Sequence, residues 1–545
     1  MGVQGTAAVR ARLVVVTILV GATAAGAAAQ RRSSGVPPKP DDRTIVHVLN
    51  RVGFGPAPGE VDRMREMGLD AYIEQQLNPS TLSDSALAAR LADFKTLSMS
   101  TRDLAREYYV PALMRRRAAQ RAQGAAAANP DMQMQPAQPA QTARQEERLV
   151  LTELMQQKVL RAAYSERQLE EVMVDFWFNH FNVFAGKGQT RVYLTEYERD
   201  AIRPHVFGKF RDLLGAVAES PAMLFYLDNW QSSAPDSAET MGRRGRGAFR
   251  RPQPPTQAQP QNRRRGINEN YARELMELHT LGVDGGYTQK DVQEVARAFT
   301  GWTIDMPRQG GGFRFEPRMH DDGEKTVLGT RIRSGGGRQD AETVLDLLAK
   351  HPSTARFIAT KLARRFVADE PPASLVDRAA ARFRETGGDI REVVRTILTS
   401  RELFAASAYR AKVKTPFEFV ASAVRATGVD LRDGMALVQA LRQLGMPLYM
   451  CQPPTGYSDK ADAWVNTGAL LNRMNFAVAL SGNALGPGSG RSRRLASALP
   501  LTGDEIVRNA LAGEVSNATA ETVAKATSEP QRIALLLGSP DFQKR

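Results

Sequence analysis

One of the six histidines in the chain, His180, lies in a dense run of aromatic and polar residues. The run reads DFWFNHFN over residues 175–182. On a helix, Phe176, Trp177 and His180 share one face because they lie three and four residues apart. Imidazole serves as a general acid, a general base or a metal ligand near neutral pH, so His180 is a candidate for each role. The alternative is a hydrogen-bonded histidine inside an aromatic core.

A second polar run, residues 268–279, reads NENYARELMELH. On a helix, Arg273, Glu274 and Glu277 share one face, so the two carboxylates are candidates to bind a hard cation or to act as an acid/base pair. His279 is a further candidate acid. It lies about 200° around the helix from Glu277, so both residues bind one ion only if the helix ends there. The alternative is that Arg273 and Glu277 form an ordinary exposed ion pair.

The third run, HDDGEK over residues 320–325, is predicted to form the loop of a β-hairpin. Loops on a rigid scaffold often carry functional residues. His320 and Asp321, together with His180, are the candidate ligands of a divalent metal ion, which is the one cofactor that the sequence indicates. The alternative is a plain polar turn, since Asp-Gly is a frequent hairpin signal.

Several common catalytic signatures are absent from the sequence. It contains no serine nucleophile elbow, no phosphate-binding glycine loop, no zinc-type cysteine spacing and no dinucleotide fingerprint. The metalloprotease pattern of two histidines four residues apart is also missing. Cys451 is the only cysteine, which excludes a disulfide within one chain, and no partner marks it as a nucleophile.

Helical periodicity dominates the elements that must position these residues. Residues 44–77 predict two helices around a GFGP turn, and Thr288 and Asp291 resemble a capping box at the start of another helix. Only residues 313–332 change to the period of strands, and they predict a single hairpin. The predicted fold class is mainly α, a multi-helical globular body with one short β-hairpin and two disordered insertions. Further helices are predicted within residues 101–114, 149–229, 267–302, 341–404, 416–444 and 464–480.

The first residues have the order of a cleavable secretory signal. Basic residues precede an apolar run, LVVVTILV, and small residues follow it as far as Ala29. The apolar run is shorter than the roughly 20 residues that span a membrane, and no later stretch is long enough. We therefore expect a periplasmic or secreted protein without a membrane span after cleavage. The predicted organisation is a signal peptide at 1–29, a linker at 30–43, a helical domain at 44–484 with low-complexity insertions at about 115–147 and 231–266, a linker at 485–502 and a helical tail at 503–545.

The formal charge of +14 is concentrated in one segment. Residues 231–266 hold eight arginines against Asp236 and Glu239, in a composition rich in Pro, Gln and Gly. Such a composition is typical of a solvated, disordered loop. The segment is suited to an anionic polymer, whereas the expected location outside the cytoplasm disfavours nucleic acid as a partner.

Taken together, the motifs of the chain resemble those of the bacterial family named domain of unknown function 1800. The resembling segments are HVLNRVGFG (47–55), FWFNHF (176–181), RPH (203–205), FRDLL (210–214), PAMLFYLDN (221–229), NENYARELMELH (268–279), TGW (300–302), HD (320–321) and QPPTGY (452–457). Besides the candidates above, the family-motif positions are His47, Arg51, Asn179, His205, Asn268, Arg273, Trp302 and Lys325. The two insertions do not share the resemblance.

The resemblance implies a secreted protein but no settled activity. Genes of the family often neighbour genes of a second secreted family that resembles sulfatases and alkaline phosphatases. A neighbour-encoded protein of that kind is therefore an expected partner, beside an anionic polymer. This association indicates envelope or extracellular polymer processing and does not identify a reaction.

Two hypotheses follow. The first is an accessory or binding protein in envelope or extracellular polymer processing. The second is a metal-assisted or acid/base hydrolase that uses Glu274, Glu277, His279, His180, His320 and Asp321. The two hypotheses differ in whether His180, Glu277 and His320 converge in one pocket, because functional groups with perturbed pKa values gather in clefts.

Overall fold

A computed structural model describes residue 2 and residues 34–128, 138–235, 266–431, 434–482, 484 and 500–545. For residues 122–128 and 138–147 the description covers the backbone alone. The predicted signal peptide lies outside the described residues except for residue 2. Most of the Arg-rich insertion, the middle of the Ala/Gln-rich insertion and most of the second linker also lie outside them.

The described chain is built mainly of helices, as predicted. They are α1 Asp42–Val52, α2 Glu60–Met67, α3 Leu69–Leu77, α4 Ser85–Leu91, α5 Thr101–Leu104, α6 Val110–Ala128, α7 Gln138–Tyr164, α8 Gln168–His180, α9 Thr190–Glu196, α10 Phe210–Glu219, α11 Pro221–Tyr226, α12 Glu269–Met276, α13 Gln289–Ala298, α14 Gln339–Lys350, α15 Pro352–Phe366, α16 Ala373–Glu385, α17 Ile390–Leu398, α18 Pro416–Thr427, α19 Met435–Gln443, α20 Thr467–Ser481, α21 Gly503–Ala510, α22 Asn517–Val523, α23 Glu529–Gly538 and α24 Pro540–Gln543. Four short strands complete the described elements: β1 Trp302–Ile304, β2 Phe313–Phe315, β3 Lys325–Val327 and β4 Thr330–Ile332.

The N-terminal segment forms three helices, where the sequence predicted two. α1 begins after Asp41, whose carboxylate accepts the backbone N–H of Thr44 at 2.8 Å and so caps the helix. The predicted second helix is interrupted at Gly68, which has a φ of 85°. That conformation favours glycine and ends α2 before α3 begins. A single glycine barely disturbs an apolar pattern, which is why periodicity alone did not reveal the break.

α8 lies inside the main hydrophobic core. Ten of its thirteen residues are buried, as expected of a helix that is apolar on most of its surface. Trp177 is completely buried, and the centroid of its ring lies 5.9 Å from the ring centroids of both Phe181 and Phe210. These contacts hold α8 against α10. Side chains at the C-terminal end of α8 are therefore held in fixed positions.

The strands form two hairpins, where the sequence predicted one. β1 pairs antiparallel with β2, and β3 pairs antiparallel with β4. The second hairpin turns at Leu328 and Gly329, which have φ values of 49° and 76°. A two-residue turn with positive φ at both positions matches the twist of the strands that it joins. Residues 320–325 therefore connect two hairpins and do not form the loop of one.

The C-terminal helices pack on the body of the protein. α23 lies against α20. The backbone N–H of Arg545 donates to the carbonyl oxygen of Lys412 at 2.8 Å, and Val413 and Lys544 form an antiparallel bridge. The guanidinium of Arg545 reaches the carbonyl oxygen of Asn50 at 3.4 Å, so the C-terminal segment meets α1. The division of the chain at residues 485–502 stays a prediction.

Among the described residues, the helices are all too short or too polar to cross a membrane.

Candidate functional site

His180 is the last residue of α8, and it is buried. Its ring stacks on Phe176 and meets Trp177 edge-on, as the helical spacing predicts. The Nε2–H group donates to the carbonyl oxygen of His279 at 3.1 Å, and the Lys361 ammonium donates to Nδ1 at 2.9 Å. Both ring nitrogens thus have partners, and the ring is neutral with its proton on Nε2.

The titratable groups around His180 are shifted towards their neutral forms. Burial and the nearby Lys361 lower the pKa of His180 well below its usual range and lower the pKa of His279 to about 3. Burial lowers the pKa of Lys361 to about 8, against the attraction of Asp459. A lysine with a pKa of about 8 loses its proton at mildly alkaline pH, which makes Lys361 a candidate general base. His279 itself packs edge-on against Phe181 inside the core.

α12 presents the second predicted run of polar residues. Asn268 caps its start, because its side chain accepts the backbone N–H of Tyr271 at 3.1 Å while its amide donates to the carbonyl oxygen of Leu227 at 2.7 Å. After α12 the helix continues as one π-helical turn over Glu277–Leu281. This turn ends at Gly282. In this wider turn His279 points into the core while the Glu277 side chain stays at the surface.

The two candidate carboxylates lie on the outer face of α12. Arg273 donates to the amide oxygen of Gln289 at 2.7 Å, so the predicted ion pair with Glu277 is not formed. Glu277 instead accepts the hydroxyl of Tyr287 at 3.4 Å. Burial and the charge of Glu277 raise the pKa of Glu274. The partners found for the two buried histidines are other residues, so the two carboxylates are not part of their group.

His320 and Lys325 meet at Asp340, a residue of the first turn of α14 that the sequence did not single out. His320 Nε2–H and the Lys325 ammonium donate to the same oxygen of Asp340, at 3.2 and 2.6 Å. His320 Nδ1 lies 2.9 Å from the carbonyl oxygen of Thr300, so each ring nitrogen faces an acceptor. All three ionic side chains are buried. All three side chains have hydrogen-bond partners within the protein. The network is therefore of the kind that stabilises a folded core.

Asp321 is held by an arginine. Arg297 forms two parallel hydrogen bonds with the carboxylate of Asp321, at 2.9 and 3.0 Å, and also pairs with Glu294. Although burial opposes it, these bonds lower the pKa of Asp321. Its two oxygens are engaged by the guanidinium, which leaves them poorly placed to bind a metal ion.

Asn179 and Asn182 hold the segment at residues 451–457. The Asn179 side chain donates to the carbonyl oxygen of Tyr457 at 2.6 Å and accepts its N–H at 2.7 Å. Asn182 donates to the carbonyl oxygen of Cys451 at 2.9 Å. Burial raises the pKa of Cys451 to about 11, so the thiol stays protonated and is a poor nucleophile. The family-motif residue Asn179 and its neighbour Asn182 therefore have structural roles.

The remaining motif residues are also held inside the fold. His205 Nδ1–H donates to the carbonyl oxygen of Ala201 at 3.0 Å, and Trp302 is completely buried in β1. His47 Nε2–H donates to the carbonyl oxygen of Leu403 at 2.9 Å. Arg51, one turn later on α1, is also completely buried.

The predicted site residues thus fall into separate groups. His180 joins His279 and Lys361, whereas His320 and Lys325 join Asp340, and the two groups have no partner in common. Glu277 belongs to neither group. Within the described part of the chain, no three His, Cys, Asp or Glu side chains are placed to hold a metal ion. The proposed ligands His180, His320 and Asp321 are therefore not brought together.

Sequence reasoning missed a groove of about 390 Å³ between α7, α9 and α19. Its volume is within the range of small-molecule binding sites. Both long walls are helix faces, since the lining residues recur at i, i+3, i+4 and i+7 on α7 and again on α19. The apolar side chains that line the groove are Leu151, Met155, Ala185, Met435, Val438 and Met450.

The polar part of the same groove is cationic. Arg148, Arg191 and Arg442 line it, and none of the described residues that line it is a carboxylate. Each wall carries its lining residues at helical spacing in the sequence, but no sequence pattern shows that the two helices oppose each other across a gap. A surface of this kind is suited to a molecule with an apolar body and an anionic group.

A larger cleft of about 570 Å³ beside α14 has a different character. Its arginines are already paired, since Arg211 binds Glu342 and Asp346, and Arg338 binds Glu219 and Glu342. An anionic ligand there would compete with these carboxylates. The groove at α7 and α19 combines its arginines with an apolar lining, which makes it the stronger candidate site.

Comparison with known proteins gives one match. A family model described as "Protein of unknown function (DUF1800)" matches residues 47–544. The curated proteins and the solved structures gave no match to the chain.

Proposed function

Since the chain belongs to the DUF1800 family, whose description gives no function, we propose from its own geometry that it is a binding protein of the periplasm or extracellular space that holds an anionic amphiphile. The observation that carries the proposal is the groove between α7 and α19, which combines an apolar lining with the exposed Arg148 and Arg442. Its ligand carries a carboxylate or phosphate group on an extended apolar body. Fatty acids and lysophospholipids of the bacterial envelope have this chemistry.

The groove offers its ligand two kinds of contact, one apolar and one cationic. Met155, Met435 and Met450 offer flexible, polarisable side chains that fit apolar chains of varied shape. Arg148 and Arg442 are exposed and present guanidinium groups, which bind carboxylates and phosphates through paired hydrogen bonds. Apolar burial then supplies affinity, and the arginines select for an anionic group and fix its orientation.

The separation of the candidate catalytic residues favours binding over the hydrolase hypothesis. A hydrolase needs its acid, its base and its substrate site in one cleft. His320 and Asp321 form ion pairs with other residues of the protein. Glu277 lies at the surface, whereas His180 is buried. None of these four residues lines the groove.

The proposed cellular role rests on the sequence. An N-terminal signal peptide would place the protein in the periplasm or outside the cell, where lipids and polymers of the envelope are its neighbours. We propose that it delivers or retains such a molecule for envelope or extracellular polymer processing, beside a secreted protein that resembles sulfatases or phosphatases. The Arg-rich segment at residues 231–266 supplies a second, non-specific attraction for anionic polymers.

A fluorescent fatty acid tests the proposal directly. The purified chain is titrated with 11-(dansylamino)undecanoic acid and, separately, with its uncharged methyl ester. We expect saturable binding of the acid and at least about tenfold weaker binding of the ester, which corresponds to about 1.4 kcal/mol. The double variant Arg148→Gln/Arg442→Gln should bind the acid about as weakly as wild type binds the ester.

The matched control is Arg356→Gln, since Arg356 is an exposed arginine on α15 that pairs with Asp377 and lies outside the groove. This variant should bind the acid as tightly as wild type does. Absence of saturable binding, or equal binding of acid and ester, would contradict the proposal. So would equal losses in the groove variant and the control.

A second candidate function is acid/base catalysis centred on Lys361 and His180. One observation favours it: the half-buried Lys361 ammonium, whose pKa is about 8, donates to a neutral histidine at 2.9 Å. Its test is hydrolysis of a panel of activated esters and phosphoesters by wild type and by Lys361→Met. Turnover that rises with pH to a plateau above about pH 8, and that Lys361→Met abolishes, supports catalysis. Equal background rates in both proteins exclude it for these substrates.

A further inference from the structure

A group of buried cationic side chains lies where α1, α15, α20 and the C-terminal segment meet. Each of its members is at most 3% exposed. The group is held together by its own contacts, since Arg473 and Arg545 donate to the carbonyl oxygens of Lys414 and Arg365, respectively. Its members are Arg51, Arg365, Lys412, Lys414, Arg473 and Arg545.

Three carboxylates oppose these six cations. Glu418 is buried and binds both Arg365 and Arg545, the latter at 2.8 Å. Asp369 binds Lys412, and Asp459 lies 3.9 Å from Arg365. The nearby Arg410 and Asp541 form a separate ion pair at 3.1 Å, so including them does not change the difference between cations and carboxylates. Counted by side chains within the described residues, the group therefore has three more basic members than acidic ones.

The cations without a carboxylate have only neutral partners. The Lys414 ammonium donates to the Ser422 hydroxyl at 2.7 Å and lies 4.0 Å from the ring centroid of Phe542. Arg51 uses one nitrogen to reach the carbonyl oxygen of Ala408 at 2.6 Å, while its Nε and Nη1 atoms have no partner. Burial and three neighbouring arginines lower the pKa of Lys414 well below its usual range.

Further donors are left unused in the same group. The Nε atoms of Arg365, Arg473 and Arg545 are buried and have no hydrogen-bond partner among the described residues. An unpaired buried donor costs about 1–3 kcal/mol, and an uncompensated buried charge costs more. Several such groups in one place are too costly to retain unless something in the functional protein offsets them.

A small cavity adjoins this group. It has a volume of about 10 Å³, which is at the lower limit of the space that one water molecule needs, so a monatomic ion is the largest anion that it could admit. Lys414, Arg545, Arg410 and Lys544 line it together with His47, and the one carboxylate in its wall, Asp541, is paired with Arg410. A phosphate or a carboxylate ligand is too large for this space.

We infer that this cavity is a chloride site, in which a monatomic anion bound beside Lys414 and Arg545 offsets the excess charge of the buried cations and holds the C-terminal segment against α1. A water molecule fills the same volume but leaves the charge excess unchanged. The site is separate from the groove between α7 and α19, since no residue lines both.

The experiment uses the full chain in chloride and in gluconate at equal ionic strength. We expect the melting temperature to rise with chloride and to saturate, by at least about 2 °C, and to stay flat with gluconate. Crystals soaked in bromide should show an anomalous peak in the cavity between Lys414 and Arg545. Equal stability in both salts overturns the inference, and a bromide peak without chloride-dependent stability marks an adventitious ion only.

Two lysine variants connect the effect to the cavity. Lys414→Met should lose the chloride dependence of the melting temperature. Lys158→Met is the matched control, because Lys158 is also buried but forms its own ion pair with Asp175 at 2.8 Å. It should be less stable and keep the chloride dependence. Loss of the dependence in both variants, or in neither, overturns the assignment, and chlorine-35 line broadening with wild type gives a readout that needs no variant.

Discussion

Two buried ion networks in this protein are built on different charge balances. In the network at α14, His320 and Lys325 share the carboxylate of Asp340, and neighbouring Asp321 pairs with Arg297. The Lys325 ammonium and the Asp340 carboxylate form a one-to-one pair, and the polar atoms of the central residues have partners. In the cationic group at α1 and the C-terminal segment, six cations face three carboxylates, and several N–H groups have no partner.

The difference teaches how to interpret a buried charged motif residue. A matched network is a structural unit, because desolvation of its charges is offset by attraction inside the protein. An unmatched group indicates a missing counter-charge, so a ligand is the natural explanation. Both networks contain residues of the family motif, namely His320 and Lys325 in the first and His47 and Arg51 in the second. A motif match alone does not separate the two cases.

The largest expected effect comes from the matched network. Asp340→Asn keeps the shape of the side chain but leaves Lys325 and His320 buried without a carboxylate. We expect the free energy of unfolding to fall by about 3–5 kcal/mol, measured by urea denaturation. Asp346→Asn is the control on the same helix, and because Asp346 is half exposed it should cost less than about 1 kcal/mol. Equal losses would show that Asp340 does not neutralise buried charge.

The second prediction compares two buried arginines. Arg425→Met removes a cation that pairs with buried Glu60 at 2.7 Å, so a loss of about 3 kcal/mol or more is expected. Arg51→Met removes a cation without a carboxylate partner, so the change should stay within about 1 kcal/mol in chloride-free buffer. Denaturation of both variants measures the difference. A large loss in Arg51→Met would contradict the charge excess.

The third prediction concerns acid pH and His47. Burial and the charges of Arg51, Arg545 and Arg43 lower the pKa of His47 to about 3. The unfolded chain binds a proton at about pH 6.5, so between these values the unfolded state holds more protons and stability falls as the pH falls. At pH 5, the unprotonated state of His47 should lower the free energy of unfolding by about 2 kcal/mol relative to neutral pH. The His47→Gln variant should lack this part of the pH dependence. His205→Gln is the control and should keep it.

The smallest effect is expected for an exposed pair. Arg356 and Asp377 on α15 and α16 are both more than half exposed. Arg356→Gln should lower the free energy of unfolding by no more than about 1 kcal/mol, because water and salt screen such pairs. The same denaturation assay provides the baseline for the buried variants. A loss comparable to that of Asp340→Asn would remove the distinction between buried and exposed pairs.

Much of the fold was predictable from local patterns. The helical class, the capping box at Thr288 and Asp291, and the shared face of Phe176 and His180 all follow from spacings of three and four residues. The hairpin prediction failed because one apolar run, residues 326–332, contains a complete tight turn at Leu328 and Gly329. A pattern of two-residue period does not show where a strand reverses.

The candidate site was less predictable, because its contacts are long-range. His180 meets Lys361 across 181 positions, and Arg51 meets the carbonyl oxygen of Ala408 across 357. Asp340 gave no signal of its own, since an acidic residue in the first turn of a helix is common. Its role appears only when α14 packs beside the two hairpins.

By itself, the sequence determined the mainly helical class, the family and the residues that carry its motifs, because periodicity and residue order are local properties. Tertiary structure alone decided which polar residues share a partner, where charges are balanced and where they are not. It also decided that two helices, α7 and α19, face each other across a groove. The physical reason is that burial and electrostatic balance depend on distances between side chains, and packing sets those distances between residues that are remote in the chain.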